Sequence, residues 1–574
     1  MVRRAALACL GTALVLVVGL AGCGVSRSGP SDEGDAAVVG TVTTDSDRRN
    51  PPVPDSASSP DGLVRDFFMA AVGGGKAGTD QVKAFLNAHA LQNWREAASP
   101  DNPPMTVIRL LHAPTTGAVT NGRTPVTVDY QVVGNLTDQG RVDDLLDPAV
   151  QSMTFFVVPD ERNPSNLRVD EVNYPQAGLL LSDDALTEYY RIQPIYFWDS
   201  SYTSLVPDVR YVPLTDLADV RATRLVNWLV TGPSGRITGL RMQGASAAQV
   251  LSDNGTLTVK LTAEGPPLDN DGLRRMLFQL QWTLRSSDGS SNVRLVIDDK
   301  PQDVPAAANE YLSANRSWNF RASPQRYDIS ENKVVASPGG ATPQGVLAAG
   351  ENQQVYAAAI GRGGAVAAFV RTGTNGRRYL QIVRDSGVID TALPKGDVGR
   401  PVFVPDSNDS LLVVSGGQLY AVSGVDGSAV NVPRGVGGIT SVSVSSDGRR
   451  VAFVANGQAY VSSLAVANNS ISVSSNLRAL LSGQISASAV TWLNESWLAV
   501  AGGSALWRVT ADGVVAQNLS DSLKGVVVTD LVAYPAYPPR TNTDALITTK
   551  DQGVYSLLNS LAPEAGLHNP FFGS

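Results

Sequence analysis

The sequence predicts a multidomain chain, with two α+β domains followed by an all-β propeller of five to six blades. Its 574 residues, 43% of them apolar, leave room for roughly three to five separately cored domains. Between residues 61 and 305 the apolar residues recur first at helical and then at strand spacing, twice over. From about residue 325 an apolar strand, a Gly-bearing turn and an aromatic-bearing strand recur along the chain.

The chain opens on a short positive segment, Arg3-Arg4, and an apolar run from Ala5 to Leu20. That run is too short to cross a membrane comfortably, which takes about 20 apolar residues, and it reads as a secretory signal over residues 1–22. Leu20-Ala21-Gly22-Cys23 resembles a bacterial lipobox. This resemblance implies cleavage between Gly22 and Cys23 and an N-palmitoyl, S-diacylglycerol cysteine at position 23. Two acyl chains hold a protein stably at a membrane where one does not. Residues 23–60 follow as the lipidated Cys and a flexible tether, rich in Pro, Ser, Gly and Asp and without an aromatic residue. Such a segment cannot build a core, and as a coil it spans roughly 30–35 Å.

The first folded unit is placed at 61–180. Val64, Phe67, Phe68 and Ala71 form one helical face, with Asp61 as the expected cap and Gly73-Gly74-Gly75 as the stop. A second helix is expected from Thr79, with Val82, Phe85, Leu86 and His89 on one stripe. Strict alternation at Val126, Val128, Tyr130 and Val132 then predicts a strand, as do Met153–Val158 and Leu167–Val172.

The second unit is placed at 190–305. Ile195–Trp198 reads as a buried strand. Ala218, Ala222, Leu225 and Leu229 form a helical stripe ended by Gly232-Pro233. Thr256–Leu261 alternates. Leu273, Met276, Leu277, Leu280 and Leu284 predict a second helix capped by Asn270 or Asp271, and Val293, Leu295 and Ile297 a closing strand.

The third unit is placed at 325–574. Its anchor aromatics Tyr379, Tyr420, Tyr460, Trp507 and Tyr555 step by 41, 40, 47 and 48 residues, the period of a four-stranded propeller blade. The Asp447-Gly448 turn, which needs Gly at positive φ, fits the blade signature in Ser445–Phe453.

Composition narrows the chemistry. A formal net charge of −8 argues against a nucleic-acid partner, 2 Cys cannot build an all-cysteine zinc site or a disulfide framework, and 3 His leave little for metal or triad chemistry. Gly73-Gly74-Gly75-Lys76-Ala77-Gly78 satisfies a dinucleotide-loop pattern in letters only, because a helix rather than a strand precedes it. His89 and His112 sit among apolar residues and read as core histidines, while His568 lies in the tail. The pairs Asp183-Asp184 and Asp298-Asp299 read as turn or solvated residues. Tyr196, Phe197, Trp198, Tyr202, Trp228 and Trp282 are either core or interface residues, with core packing the simpler reading. No catalytic, cofactor-binding or metal site is expected.

Leu205–Tyr211 and Leu229-Val230-Thr231-Gly232-Pro233, after Ile195–Trp198, resemble the GerMN module of sporulation and germination proteins. With a lipobox before it and a propeller behind it, the whole chain resembles the LpqB family of actinobacterial lipoproteins. That resemblance implies a nuclear transport factor 2-like first domain and a non-catalytic protein on the extracytoplasmic face of the cell membrane. It also implies contact with the extracellular sensor domain of an MtrB-like histidine kinase, and modulation of two-component signalling in cell-wall homeostasis and division. The alternative partner is peptidoglycan or another cell-wall polymer.

Overall fold

The computed structural model describes residues 50–573, apart from short internal stretches of which 536–543 is the longest. The signal segment, Cys23 and most of the tether lie outside the described residues.

Helix α1 (Pro60–Met69) is capped by Ser59, not by Asp61. Ser59 Oγ accepts from the Gly62 N–H at 3.2 Å, and Pro60 takes the first helical position, where a missing donor costs nothing. The face read from the sequence is the buried one, with Leu63, Val64, Phe67 and Phe68 out of water. Helix α2 (Gly75–Ala84) starts at Gly75 rather than Thr79, because Gly73, Gly74 and Gly75 all take positive φ and turn the chain directly into it. Helix α3 (Ala88–Gln92) is a separate short helix, so His89 leaves the apolar stripe.

Strands β1 (Met105–Leu110), β2 (Thr115–Thr116), β3 (Thr124–Leu136), β4 (Val142–Asp144), β5 (Val150–Pro159), β6 (Leu167–Val172) and β7 (Leu179–Ser182) form one sheet in the order β6-β5-β3-β1-β7. Strands β2 and β4 pair with β3, and only the β1–β7 pair is parallel. Phe67, Phe68, Phe85 and Phe155 meet edge to face between helix and sheet.

Helix α4 (Asp183–Tyr189) replaces a linker and runs straight into the hairpin β8 (Tyr190–Trp198) and β9 (Leu205–Pro213). Then come α5 (Ala218–Thr231), β10 (Ala245–Asp253), β11 (Thr256–Ala263), α6 (Asn270–Leu284), β12 (Val293–Ile297) and β13 (Lys300–Pro301), with sheet order β10-β11-β12-β13. Gly232, at φ 118, ends α5 as expected, whereas α6 is capped by Asp269, one residue before the expected pair. The outer edge of β10 is closed by α5: Asn227 bonds both the N–H and the carbonyl of Ala248, and Thr223 does the same for Val250.

Six sheets follow. Their innermost strands are Val355–Ile360, Val402–Phe403, Ile439–Val444, Ala489–Trp492, Val528–Tyr534 and Phe571–Phe572. Each touches the next and the last touches the first, so the ring is closed. Closure comes from the C-terminal strand, whose Phe571 and Phe572 pair with Tyr327 and Arg326 to complete the first blade. The blade count is therefore six. All five anchor aromatics lie on the third strands of their blades.

The first two domains meet at the β3–β4 turn. Gly140, at φ 64, accepts the Tyr211 N–H at 2.6 Å, and Trp228 Nε1 donates to the Asp138 carbonyl at 3.0 Å. A Cβ on Gly140 would lie 2.3 Å from the Trp228 ring. Gly140→Ala is therefore expected to cost about 1–3 kcal/mol, read as a lowered melting temperature. Gly122→Ala is the control, with the same positive φ but nothing within 4 Å of its Cβ.

Candidate functional site

One rim of the propeller is buried against the first two domains. It includes the turns after the first strands of the fourth and fifth blades and after the third strand of the fifth. These turns carry Asp447, Glu495 and Asp512, each buried. A buried carboxylate needs donors, and most of these donors come from elsewhere in the chain.

Asp512 accepts from Tyr211 Oη at 3.1 and 3.0 Å on its two oxygens, and from Thr510 Oγ1 at 2.6 Å. Burial drives the Tyr211 hydroxyl well above its usual range, and the Asp512 charge pushes it the same way, so it remains a donor. Glu495 accepts from Tyr196 Oη at 2.6 Å, and Tyr196 Oη accepts in turn from Arg285 Nη2 at 2.8 Å. Burial raises the Glu495 carboxyl, against the pull of Arg285. Asp199 takes Arg449 Nε at 2.9 Å and Thr203 Oγ1 at 2.8 Å. Burial pushes Asp199 up, but these bonds outweigh it and hold the carboxyl below its ordinary range. Asp447 is paired within its own blade, with Arg450 Nη2 at 2.6 Å.

Domain one adds Arg109, which is buried on β1. Its Nε donates to Asp183 at 3.0 Å, while Nη2 donates to the carbonyls of Gly513 at 3.0 Å and Val514 at 2.6 Å. Asp183 is thus neither solvated nor a plain turn residue. As the first residue of α4 it is buried, and burial pushes its carboxyl up to about 7 despite Arg109. Asp298 and Asp299 do form the β12–β13 turn, at φ 46 and 60.

The remaining residues separate. His89 is exposed, with Nδ1 2.9 Å from the Asp170 carbonyl, so it is not a core histidine; His112 is exposed as well. His568 is exposed near the channel, and the three histidines do not converge. The Gly73–Gly78 segment is packing: a Cβ on Gly74 would meet Met105 at 2.8 Å. Tyr196, Phe197, Trp198, Trp228 and Trp282 are buried, as core packing requires. Tyr196 also works across the seam, which its place in an apolar run did not reveal. Among the described residues no group of three or more His, Cys, Asp or Glu could hold a metal, and no helix is long and apolar enough to cross a membrane.

Inside the ring lies a cavity of about 2040 Å³. Arg316, from the connection before the propeller, lines it near the docked rim, and neighbouring Ser317 bonds Ser446 at 2.8 Å. At the free rim it is lined by Arg400, Asp530, Asn569 and Tyr356.

Arg109→Ala is expected to cost about 3–5 kcal/mol, since it leaves Asp183 and two carbonyls buried without their donor. The pH dependence follows from Asp183. Its carboxyl titrates near 3.8 when unfolded and near 7 when folded, so its contribution to stability is present at low pH and is lost as pH rises towards 7. Melting curves between pH 4 and 8 should show this slope, and Asp183→Asn should flatten it.

A family model described as "Germane: Sporulation and spore germination" matches residues 194–303, and one described as "Gmad1: Lipoprotein LpqB beta-propeller domain" matches 334–555. Proteins named Lipoprotein LpqB are similar along most of the chain. That of Rhodococcus opacus (strain B4) is 25% identical over 493 residues, covering 79% of this chain and 78% of the relative. That of Rhodococcus jostii (strain RHA1) is 25% identical over 503 residues, covering 80% and 79%. That of Corynebacterium diphtheriae is 23% identical over 545 residues, covering 89% of each. The chain is thus similar along most of its length to the LpqB lipoproteins, and it carries a Germane domain and an LpqB-type β-propeller behind an α+β domain.

Proposed function

We propose that this is a non-catalytic accessory protein of the cell envelope. In this reading it is held on the extracytoplasmic face of the cell membrane by an N-palmitoyl, S-diacylglycerol Cys23. It presents its three domains to the sensor domain of an MtrB-like histidine kinase and so modulates two-component signalling in cell-wall homeostasis and division. The first domain, with helices packed on a curved sheet, would be nuclear transport factor 2-like. Nucleic acid is not a partner in this reading.

The observation that supports this best is the buried seam. Three domains locked together by charged and hydroxyl groups offer one continuous surface. A tether anchored in the same membrane as the kinase raises the effective concentration of that surface, so a weak contact suffices. The rival reading, a peptidoglycan binder, calls for an exposed aromatic groove on the first two domains. Among the described residues of those domains the exposed large apolar side chains are aliphatic: Leu91, Val119, Val150, Leu217, Val220 and Leu251.

Two measurements test the reading. Cys23→Ala is expected to move the protein from the membrane fraction to the soluble fraction and to weaken kinase regulation; a variant that stays membrane-bound and regulates normally contradicts it. Purified protein is expected to pull down the kinase ectodomain and not purified peptidoglycan. The reverse result favours the wall-binding reading.

A further inference from the structure

Three separate segments at one end of the first domain each present a large apolar side chain to solvent. They are Val53 in the chain entering the domain, Leu91 on α3 and Val119 in the β2–β3 connection, at 60%, 42% and 67% exposure. All three segments are tied to two side chains of β6. Arg168 holds the entering chain through Asp55, at 2.7 Å. Asp170 holds α3 through Asn87 Nδ2, at 2.7 Å, and its carbonyl lies 2.9 Å from His89 Nδ1. Asp170 also takes Arg123 Nε, at 2.7 Å, and so holds the β2–β3 connection. Residues two apart on a strand share a face and lie about 7 Å from each other. The three apolar side chains are thus gathered where the chain enters the domain, while Val150, at the far end of β5, stands apart.

The surroundings suit a lipid interface. Trp94, just after α3, is partly exposed, with the Lys83 ammonium 5.9 Å from its ring, and Arg95 beside it is exposed. Trp rings settle at headgroup depth, and long basic side chains run along apolar surface to reach polar groups beyond it. The acids close by are paired, Asp55 and Asp160 with Arg168, and Asp170 and Glu171 with Arg123. Every residue from Thr115 to Gly122 is exposed, so the tip that carries Val119 projects from the domain instead of packing on it.

The chain itself says what lies against this end. Residues 24–49 separate Cys23 from Asn50. As the coil their composition implies, they span about 25–30 Å. An anchor at Cys23 therefore holds this end of the first domain close to the lipid. We propose that the chain-entry end of the first domain is a membrane-seating surface, with Val53, Leu91 and Val119 entering the headgroup layer of a bilayer and Trp94 at its edge. Each side chain contributes little alone, but the anchor raises the local concentration of lipid so that a weak seat is occupied. The inference rests on the Cys23 anchor proposed above and adds the face that meets the membrane.

The probe is the chain from Cys23 onward, its sole thiol coupled to a maleimide lipid in vesicles of phosphatidylcholine and phosphatidylglycerol. Hydrogen exchange is read by mass spectrometry against the same chain free in solution. Exchange at 117–122 and 88–95 is expected to slow at least about fivefold on the vesicle, with no change at the largely exposed propeller turn 372–377. Val119→Asp with Leu91→Asp, both at exposed positions, should return exchange at these segments to the free-chain rate. Unchanged exchange at both segments, slowing at the propeller turn instead, or slowing that survives the double variant overturns the proposal. So does slowing without vesicles as protein concentration rises, which would make the patch a contact between copies. The chemical tether stands in for acylation by the cell, so a failure here falls on the seating surface alone. A failure of the anchor reading shows instead in the membrane fractionation of Cys23→Ala.

Discussion

Charge taken out of water must be answered, and that constraint shapes the junction of the three domains. Asp512 and Glu495 sit on propeller turns that would ordinarily face solvent. Once covered by the first two domains they need donors, and Tyr211 and Tyr196 provide them from the second domain. Arg109 and Asp183 carry the same logic into the first domain, where the guanidinium also satisfies two backbone carbonyls of a propeller turn. Such groups add little net stability compared with apolar packing, but they strongly penalise any other placement of the domains. Docking is therefore specified rather than merely favourable, and the apolar core continues across the join, with Tyr211 and Trp492 in one cluster.

Ring closure and docking support each other. The C-terminal strand that completes the first blade puts Asn569 beside Arg400 at the free rim. The connection entering the propeller lays Ser317 against Ser446 at the docked rim. The channel thus has one end set into the body of the protein and one facing out. That asymmetry turns the centre of a repetitive fold into a directed space.

Much of this was legible in the sequence. Helical and strand spacing located the Phe67–Phe68 face, the β6 segment Leu167–Val172 and the α5 stop at Gly232, since these depend on neighbours a few residues away. The aromatic period located the blades, because each blade repeats the same hairpins. Caps were missed by one or two residues where Ser59 and Asp269 competed with adjacent acids, and periodicity does not choose among neighbouring caps. The seam was not legible. Asp183 reads as a turn or solvated acid and Tyr196 as core, because their partners lie 74 and 299 residues away and no local pattern encodes such a pairing. The proposed lipid anchor is the opposite case: the expectation for Cys23 rests on four consecutive residues and owes nothing to the fold.

Buried polar contacts hold the three domains as one body. Both cysteines, Cys9 and Cys23, lie in the first 23 residues, so with both replaced by Ser two introduced cysteines are the only thiols to label. Spin labels at the exposed positions Thr116 in the first domain and Asp521 in the propeller report the distance between them directly. A single narrow distance distribution, broadened by Arg109→Ala, is the predicted result. A broad or multi-peaked distribution in the unaltered protein would contradict the account.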